Sequence, residues 1–489
     1  MFSTALAAGP AALVLCCGVA TASAHPAHAP LANPHGGDPE IELVHACWPD
    51  EHGNLTGTRI PLRTMPPENR ALGDAMDGRR SQGEPERIDL VFVGDGYRQA
   101  DMAAFHAHVD GIEAGMFAYE PFITYRPYFR VHRVEVVSNE SGVSNDPVPG
   151  VTRDTALNMA YWCGGTERAL CVSVSKALHA AMAGVSTDVD QVVAVANSTK
   201  YGGVGYPGNN LGTASGGNSA ATQIVIHEIG HSLGDLADEY NYGGPTHYAG
   251  GEPGTANVST YNSTQMNALQ RKWFRWLGAV VPGFDGPVGT FEGAHTSETG
   301  IYRPSNNSMM RNLGRPFNLP SAEALIKEFY REVGPIDDAT PAGTLLSGSD
   351  TVYAVPQQPD GHDLDVFWSI DGQPLPQLDG VTHVDLSTLG LDDGVERTIR
   401  VTVVDPTQWV RDPVIRENFL TERREWVVNR CVDRADMNQD GRVDSFDLLW
   451  FIGAYADQHG PADFDASGTI DIFDLMAYLD AYVNPCPQR

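Results

Sequence analysis

The chain has 489 residues, and its 62 acidic against 32 basic side chains give a formal charge of −30. That length exceeds a usual single domain and implies about two to four domains, each able to bury a core. The charge speaks against nucleic acid and anionic membrane surfaces as partners, because both are polyanions.

Residues 1–24 have the pattern of a secretory signal peptide: an apolar run from Ala11 to Ala20, then Ala22-Ser23-Ala24 as a small-x-small cleavage site. The basic start of such a signal is missing, since Met1 to Pro10 holds neither Lys nor Arg. The expected location is therefore extracellular or periplasmic, and no later stretch is apolar for the length of a membrane span. Residues 25–84 read as a lead-in followed by a small strand module, with an Ala-, Pro- and His-rich start and an apolar patch at Ile41–Trp48. Cys16 and Cys17 fall in the signal, which leaves Cys47, Cys163, Cys171, Cys431 and Cys486. Their spacing pairs Cys163 with Cys171 and Cys431 with Cys486 as local clips in an oxidising compartment, with Cys47 the odd one.

Residues 85–335 are expected to form an α/β or α+β domain. Ile88–Tyr97 is an apolar β-type run closed by a glycine-containing turn, and Asp101–Ala118 has helical spacing. Tyr128–Val137 and Gln191–Asn197 read as further strands, with helical turns over Asp154–Ala160 and Lys176–Gly184 between them. The glycine-rich stretch 202–217 precedes the next helix and is expected to expose backbone groups to a substrate, as a sheet edge does for an extended peptide. Beyond residue 240 the chain is loop-rich. Ser263–Leu277 is expected as a helix, Tyr302–Arg311 as a polar turn with two methionines, and Ser321–Val333 as a closing helix.

The chemistry concentrates in Ile224–Tyr240, read I-V-I-H-E-I-G-H-S-L-G-D-L-A-D-E-Y. His227 and His231 lie one helical turn apart on one face and can bind a single metal ion. Glu228 lies beside that face, placed to take a proton from a water on the metal. A catalytic zinc usually has three protein ligands and an open position. Gly234 can end the helix and return an acidic residue to the metal; Asp238 is the expected third ligand, with Glu239 and His247 as alternatives. Tyr240 is a candidate donor to a developing oxyanion. The reaction this predicts is hydrolysis of a peptide bond in a protein or peptide substrate.

These residues resemble the IgA-peptidase family of zinc metallopeptidases, family 64. The likeness rests on V-F-V-G-D-G-Y-R at Val91–Arg98, E-S-G-V at Glu140–Val143, the metal helix through D-E-Y, K-W-F-R-W-L at Lys272–Leu277, and Y-R-P-S-N-N-S-M-M-R at Tyr302–Arg311. It implies a zincin or metzincin-like fold in which a methionine turn lies beneath the metal, with Met309 or Met310 in that place. The general metzincin pattern puts its last ligand on Ala237 here, one residue before Asp238.

Residues 336–430 change to short β-type runs, Thr351–Val355, Asp365–Ile370, Arg397–Val404 and Arg424–Val428, with Asp371-Gly372 as a hairpin turn. They predict an all-β sandwich-like module. Residues 431–489 hold a duplication: Asp436, Asn438, Asp440, Arg442, Asp444 and Asp447 recur 27 residues later as Asp463, Asp465, Ser467, Thr469, Asp471 and Asp474. Oxygen donors at loop positions 1, 3, 5, 9 and 12, a carbonyl at 7 and Gly441 or Gly468 at position 6 make two calcium loops, with Asp in place of the usual Glu at position 12. A helix is expected after each, at Leu448–Tyr455 and Leu475–Val483. The pair resembles a dockerin-type EF-hand repeat, which implies two Ca2+ ions and a possible cohesin-like partner. The alternative functions are a zinc amidase or aminopeptidase, and a non-catalytic adhesion or scaffold-associated protein with a structural metal.

Overall fold

The computed structural model describes residues 41–49, 55–63, 86–186, 188–241, 244–391, 395–429, 435–438, 442–465 and 467–483. The leader over 1–24, the lead-in to residue 40, Asp440, Gly441, Cys431 and Cys486 lie outside these. The chain forms two compact units. The first comprises 1–335 with 357–363 and 405–420; the second comprises 336–356, 364–404 and 421–489.

The first unit is built on a seven-stranded sheet. Its strands are β1 (Ile41–Pro49), β2 (Leu55–Arg63), β3 (Ile88–Asp95), β4 (Phe129–Val134), β5 (Gln191–Ala196), β6 (Gly203–Tyr206) and β7 (Leu211–Ser215), in the order β2-β1-β6-β7-β5-β3-β4. The pairs β4–β3, β3–β5 and β5–β7 are parallel, whereas β6 runs antiparallel to both β7 and β1. All eight residues of β3 are buried. Ile88, Leu90 and Phe92 enter one core while Val91 and Val93 enter the other, the period of two that a strand covered on both faces requires. On the first face pack α1 (Met102–Met116), α3 (Ala221–Ser232) and α5 (Leu319–Glu332); α2 (Val174–Gly184) covers the second.

Three local expectations need correction. Residues 154–160 are not helical: the buried Asp95 carboxylate accepts the N–H groups of Leu157 (2.7 Å) and Met159 (2.8 Å) and the Thr155 hydroxyl (2.8 Å), which holds the segment open. Asn158 is left-handed there (φ 55°), a conformation that interrupts a helix. The helix expected over 263–277 stops at Leu269, giving only α4 (Ser263–Leu269), because Gln270 and Lys272 are both left-handed. The glycine-rich stretch is not an exposed edge but the β6–β7 hairpin, whose two strands are buried inside the sheet while Gly208 in the turn between them is exposed. Cys163 and Cys171 are joined by a disulfide, as their spacing predicts.

The two added segments of the first unit meet it through Asp405. Its carboxylate accepts Tyr125 Oη (2.6 Å) and Tyr330 Oη (2.7 Å) and pairs with His362 Nε2 (2.8 Å). Burial alone would raise that carboxyl, but these hydrogen bonds outweigh it and hold it below its ordinary value.

The second unit holds two antiparallel sheets. Strands β8 (Ile336–Ala339), β9 (Thr351–Pro356) and β12 (His383–Asp385) form one; β10 (Asp365–Ile370), β11 (Gln373–Pro374), β13 (Arg397–Val404) and β14 (Thr421–Val428) form the other. Asp371 and Gly372, both at positive φ, make the β10–β11 turn. Val352, Val366, Trp368, Ile399, Val401 and Trp426 fill one core. The C-terminal repeat contributes helices α6 (Ser445–Ala456) and α7 (Ile472–Val483). Phe451 stacks face to face on Tyr478 at 3.9 Å, and these two residues occupy equivalent positions of the duplication.

Phe329 of α5 is fully buried against Phe122, Tyr125 and Phe129, with ring centroids 5.5, 5.8 and 5.1 Å away. Phe329→Ala is expected to cost about 3–5 kcal/mol, read as a lower denaturant midpoint with an unchanged slope.

Candidate metal centre

Helix α3 packs on the sheet where the strands lack side chains at the contact points. A Cβ on Gly203 would stand 2.4 Å from Ile224 Cγ2, one on Gly205 2.3 Å from Glu228 Oε2, and one on Gly212 3.3 Å from Glu228 Cβ. The glycines thus form a floor of bare backbone for Glu228. On the other side of the helix, Met310 Sδ would meet a Cβ on Gly230 at 2.6 Å, so the Met310 side chain packs between the two histidine turns.

His227 and His231 stand edge to face with ring centroids 4.7 Å apart and their Nε2 atoms at 3.1 Å. Asp238 Oδ1 is 3.3 Å from His227 Nε2 and 3.2 Å from His231 Nε2. His227 Nδ1 faces Met309 O (3.1 Å) and His231 Nδ1 faces Leu236 O (2.7 Å). A carbonyl only accepts, so each Nδ1 carries the proton and each Nε2 presents its lone pair. Three lone-pair atoms that converge at 3.1–3.3 Å repel one another unless a cation lies among them. Tetrahedral bonds of about 2.0–2.1 Å separate ligand atoms by roughly 3.3 Å, so the donor set fits zinc in both chemistry and spacing. His227, Glu228, His231 and Asp238 are 0, 1, 4 and 1 % exposed.

The return of Asp238 to the helix is built locally. Leu233 and Gly234 donate to Ile229 O, Leu236 donates to Gly230 O, and the reversal itself falls on left-handed Asp235 (φ 47°) rather than on Gly234. Gly234 serves a close approach: a Cβ there would meet Gly230 O and Leu325 Cδ2, each at 2.8 Å. Ala237 is held on both backbone sides by the Asn257 amide, at 2.8 Å each.

The alternatives for the third ligand point elsewhere. His247 is exposed and its Nδ1 faces Thr299 Oγ1 at 3.1 Å. Glu239 is fully buried but both its oxygens accept hydrogen bonds, Oε1 from Asn257 (2.9 Å) and Asn318 (2.7 Å), Oε2 from Ser308 (2.6 Å) and Asn318 (3.0 Å). Burial pushes its carboxyl above the ordinary range, and the bonds from Ser308, Asn257 and Asn318 oppose that rise. Tyr240 is buried with its hydroxyl donated to Asp238 Oδ2 at 2.8 Å, so it orients that carboxylate. The 302–311 turn is braced by Arg303, whose guanidinium donates to the carbonyls of Glu292, Gly293 and Asn306. Burial and the neighbouring Arg311 push that guanidinium down to about 10.

Sequence reasoning brought His227, Glu228, His231 and Asp238 together but missed Asn257, Ser308 and Asn318. The two asparagines sit in loops with no periodicity to mark them; only Ser308 fell within a turn already singled out.

In the C-terminal repeat, carboxylate oxygens of Asp463, Asp465 and Asp474 lie within 4.8 Å of one another. Position 12 behaves alike in both halves: Asp474 accepts the N–H groups of Asp465 (3.0 Å) and Asp471 (2.8 Å), and Asp447 those of Asn438 (3.1 Å) and Asp444 (2.9 Å). The N–H donors of Asp465 and Asp471 hold the Asp474 carboxyl below its ordinary value. Asp444 and Asp471 cap the following helices, accepting from Phe446 and Phe473. Ser467 Oγ turns to Thr469.

Residues 79–285 match the family model described as IgA Peptidase M64, a span that contains the whole His227–Asp238 cluster and ends before the methionine turn. No curated protein matches the chain. The buried His/His/Asp cluster and the M64 domain together classify the protein as a zinc metallopeptidase.

The glycine floor gives a direct test. Gly205→Ala places a methyl group where the Glu228 carboxylate now rests, and the obstacle is the end of a side chain rather than backbone. The chain is expected to fold and to take up zinc while peptide hydrolysis falls by about 10²-fold or more. Zinc content and a quenched-peptide assay on the same preparation measure both.

Proposed function

We propose that the protein is an exported zinc endopeptidase that cleaves protein substrates within the chain. The observation that carries this reading is the convergence of His227 Nε2, His231 Nε2 and Asp238 Oδ1 beside Glu228, with each Nδ1–H given to a backbone carbonyl. His227, His231 and Asp238 would hold the metal. When bound, zinc supplies Lewis acidity to a water and to the scissile carbonyl oxygen.

Glu228 is the general base in this reading. Its carboxylate takes a proton from the water as the water oxygen bonds to the carbonyl carbon, then delivers it to the amide nitrogen as the C–N bond breaks. The glycine floor supports the side chain in the position from which it makes both transfers. Tyr240 holds Asp238 in its orientation through Oδ2, leaving Oδ1 for the metal. Export is supported by the leader pattern of residues 1–24 and by the Cys163–Cys171 disulfide, which belongs to an oxidising compartment. Among the described residues no helix is long and apolar enough to cross a membrane.

For the C-terminal repeat we propose two calcium ions, one per loop, held through Asp436, Asn438, Asp440, Arg442 O, Asp444 and Asp447 and through Asp463, Asp465, Ser467, Thr469 O, Asp471 and Asp474. The clustering of Asp463, Asp465 and Asp474 supports the second site. A cohesin-like protein is the corresponding partner proposal.

Glu228→Gln is expected to retain stoichiometric zinc and to lose cleavage of flexible protein substrates by about 10²–10⁴-fold. Full activity in that variant would remove the general-base assignment. Peptides blocked at the N-terminus are expected to be cut as well as free ones, which an aminopeptidase would not do. Calcium chelation is expected to speed amide exchange in α6 and α7 while that of α3 is unchanged; equal protection with and without chelator would rule out calcium loops.

A further inference from the structure

We infer that Glu239 is a positioning residue for the metal centre, clamping the loop that carries Asp238 to the turn that anchors His227. The inference rests on the ligand assignment above.

Glu239 directly follows Asp238 and is completely buried, yet its side chain points away from the cluster. Four hydrogen bonds reach its carboxylate from three separate places in the chain. Ser308 belongs to the methionine turn, Asn318 caps α5, and Asn257 also holds the backbone of Ala237. The main chain repeats the connection, since Glu239 N donates to Met310 O at 2.8 Å. The preceding carbonyl, Met309 O, receives His227 Nδ1. One residue therefore fixes the distance between the Asp238 backbone and the anchor of His227 by two routes, side chain and main chain.

A carboxylate suits this arrangement: its two oxygens offer lone pairs for a hydroxyl and two amides, whereas a neutral amide of the same size turns N–H groups toward donors. A ligand loop freed from this clamp would let Asp238 Oδ1 drift relative to the two Nε2 atoms, and loss of such supporting groups typically costs about 10–100-fold in metal affinity.

The test measures metal binding by chelator competition in the full chain, together with the visible spectrum of the Co2+-substituted protein. Glu239→Gln is expected to bind zinc about 10–100-fold more weakly and to shift the cobalt bands. Ser308→Ala, which removes one donor and keeps the carboxylate, is expected to move both readouts in the same direction by less, and it covers the case in which Glu239→Gln does not fold. Glu323→Gln is the control: that carboxylate holds Trp276 Nε1 and the N–H groups of Arg411 and Asp412, away from the cluster. It is expected to lower the melting temperature and leave zinc affinity and cobalt bands unchanged. Parent-like zinc affinity and cobalt bands in Glu239→Gln, or an equal affinity loss in Glu323→Gln, would overturn the clamp while leaving the ligands in place. A parent chain that binds neither metal would overturn the ligand assignment and the clamp together.

Discussion

The site depends on where two protons are kept. Each imidazole gives its Nδ1–H to a main-chain carbonyl, that of His227 to Met309 and that of His231 to Leu236, and this alone turns both Nε2 lone pairs toward Asp238. Neither carbonyl lies on the helix that carries the histidines. One comes from the chain reversal immediately after it, the other from a turn some 80 residues later, so the metal-binding form of the helix exists only when both loops are in place. The rest of the first unit can be understood as the support of those two carbonyls: a helix held flat on bare glycine backbone, a reversal made at left-handed Asp235, and a turn braced by Arg303 and Glu239.

Acidic residues take unlike roles at three positions of one loop. Asp238 sends one oxygen to the cluster and the other to Tyr240, whereas the oxygens of Glu239 are wrapped by amides and a hydroxyl. Asp235 supplies the backbone conformation of the turn. Burial alone would make the Asp238 and Glu239 carboxylates costly, and each is accommodated by a different partner set. The same logic operates at Asp95, which organises loop 154–160, and at Asp405, which gathers Tyr125, Tyr330 and His362.

Local pattern was enough to find strands β3, β4 and β5 of the central sheet, the helix bearing the histidines, the disulfide between Cys163 and Cys171, and the β-rich character of the second unit. It succeeded there because period, composition and short spacing carry the information. The metal cluster was legible for the same reason, since His227, His231 and Asp238 fall within twelve residues. The glycines at 203, 205 and 212 were noticed but misread: glycine marks a close approach, and only the fold says that the approaching object is Glu228 rather than a substrate. Residues 154–160 look helical until a carboxylate some 60 residues earlier takes their N–H groups. Asn257, Ser308 and Asn318 carry no pattern, because what joins them is a common buried acceptor.

Asp405 also bears on how this architecture can be divided. The catalytic unit is completed by two short returns of the chain, 357–363 and 405–420, made after the β-rich unit has begun. A fragment cut at residue 335 would keep the metal cluster yet strand the phenols of Tyr125 and Tyr330 in the interior without their acceptor. The peptidase is thus interleaved with its neighbour along the sequence, and a single recombination junction there could not have moved it intact into another protein.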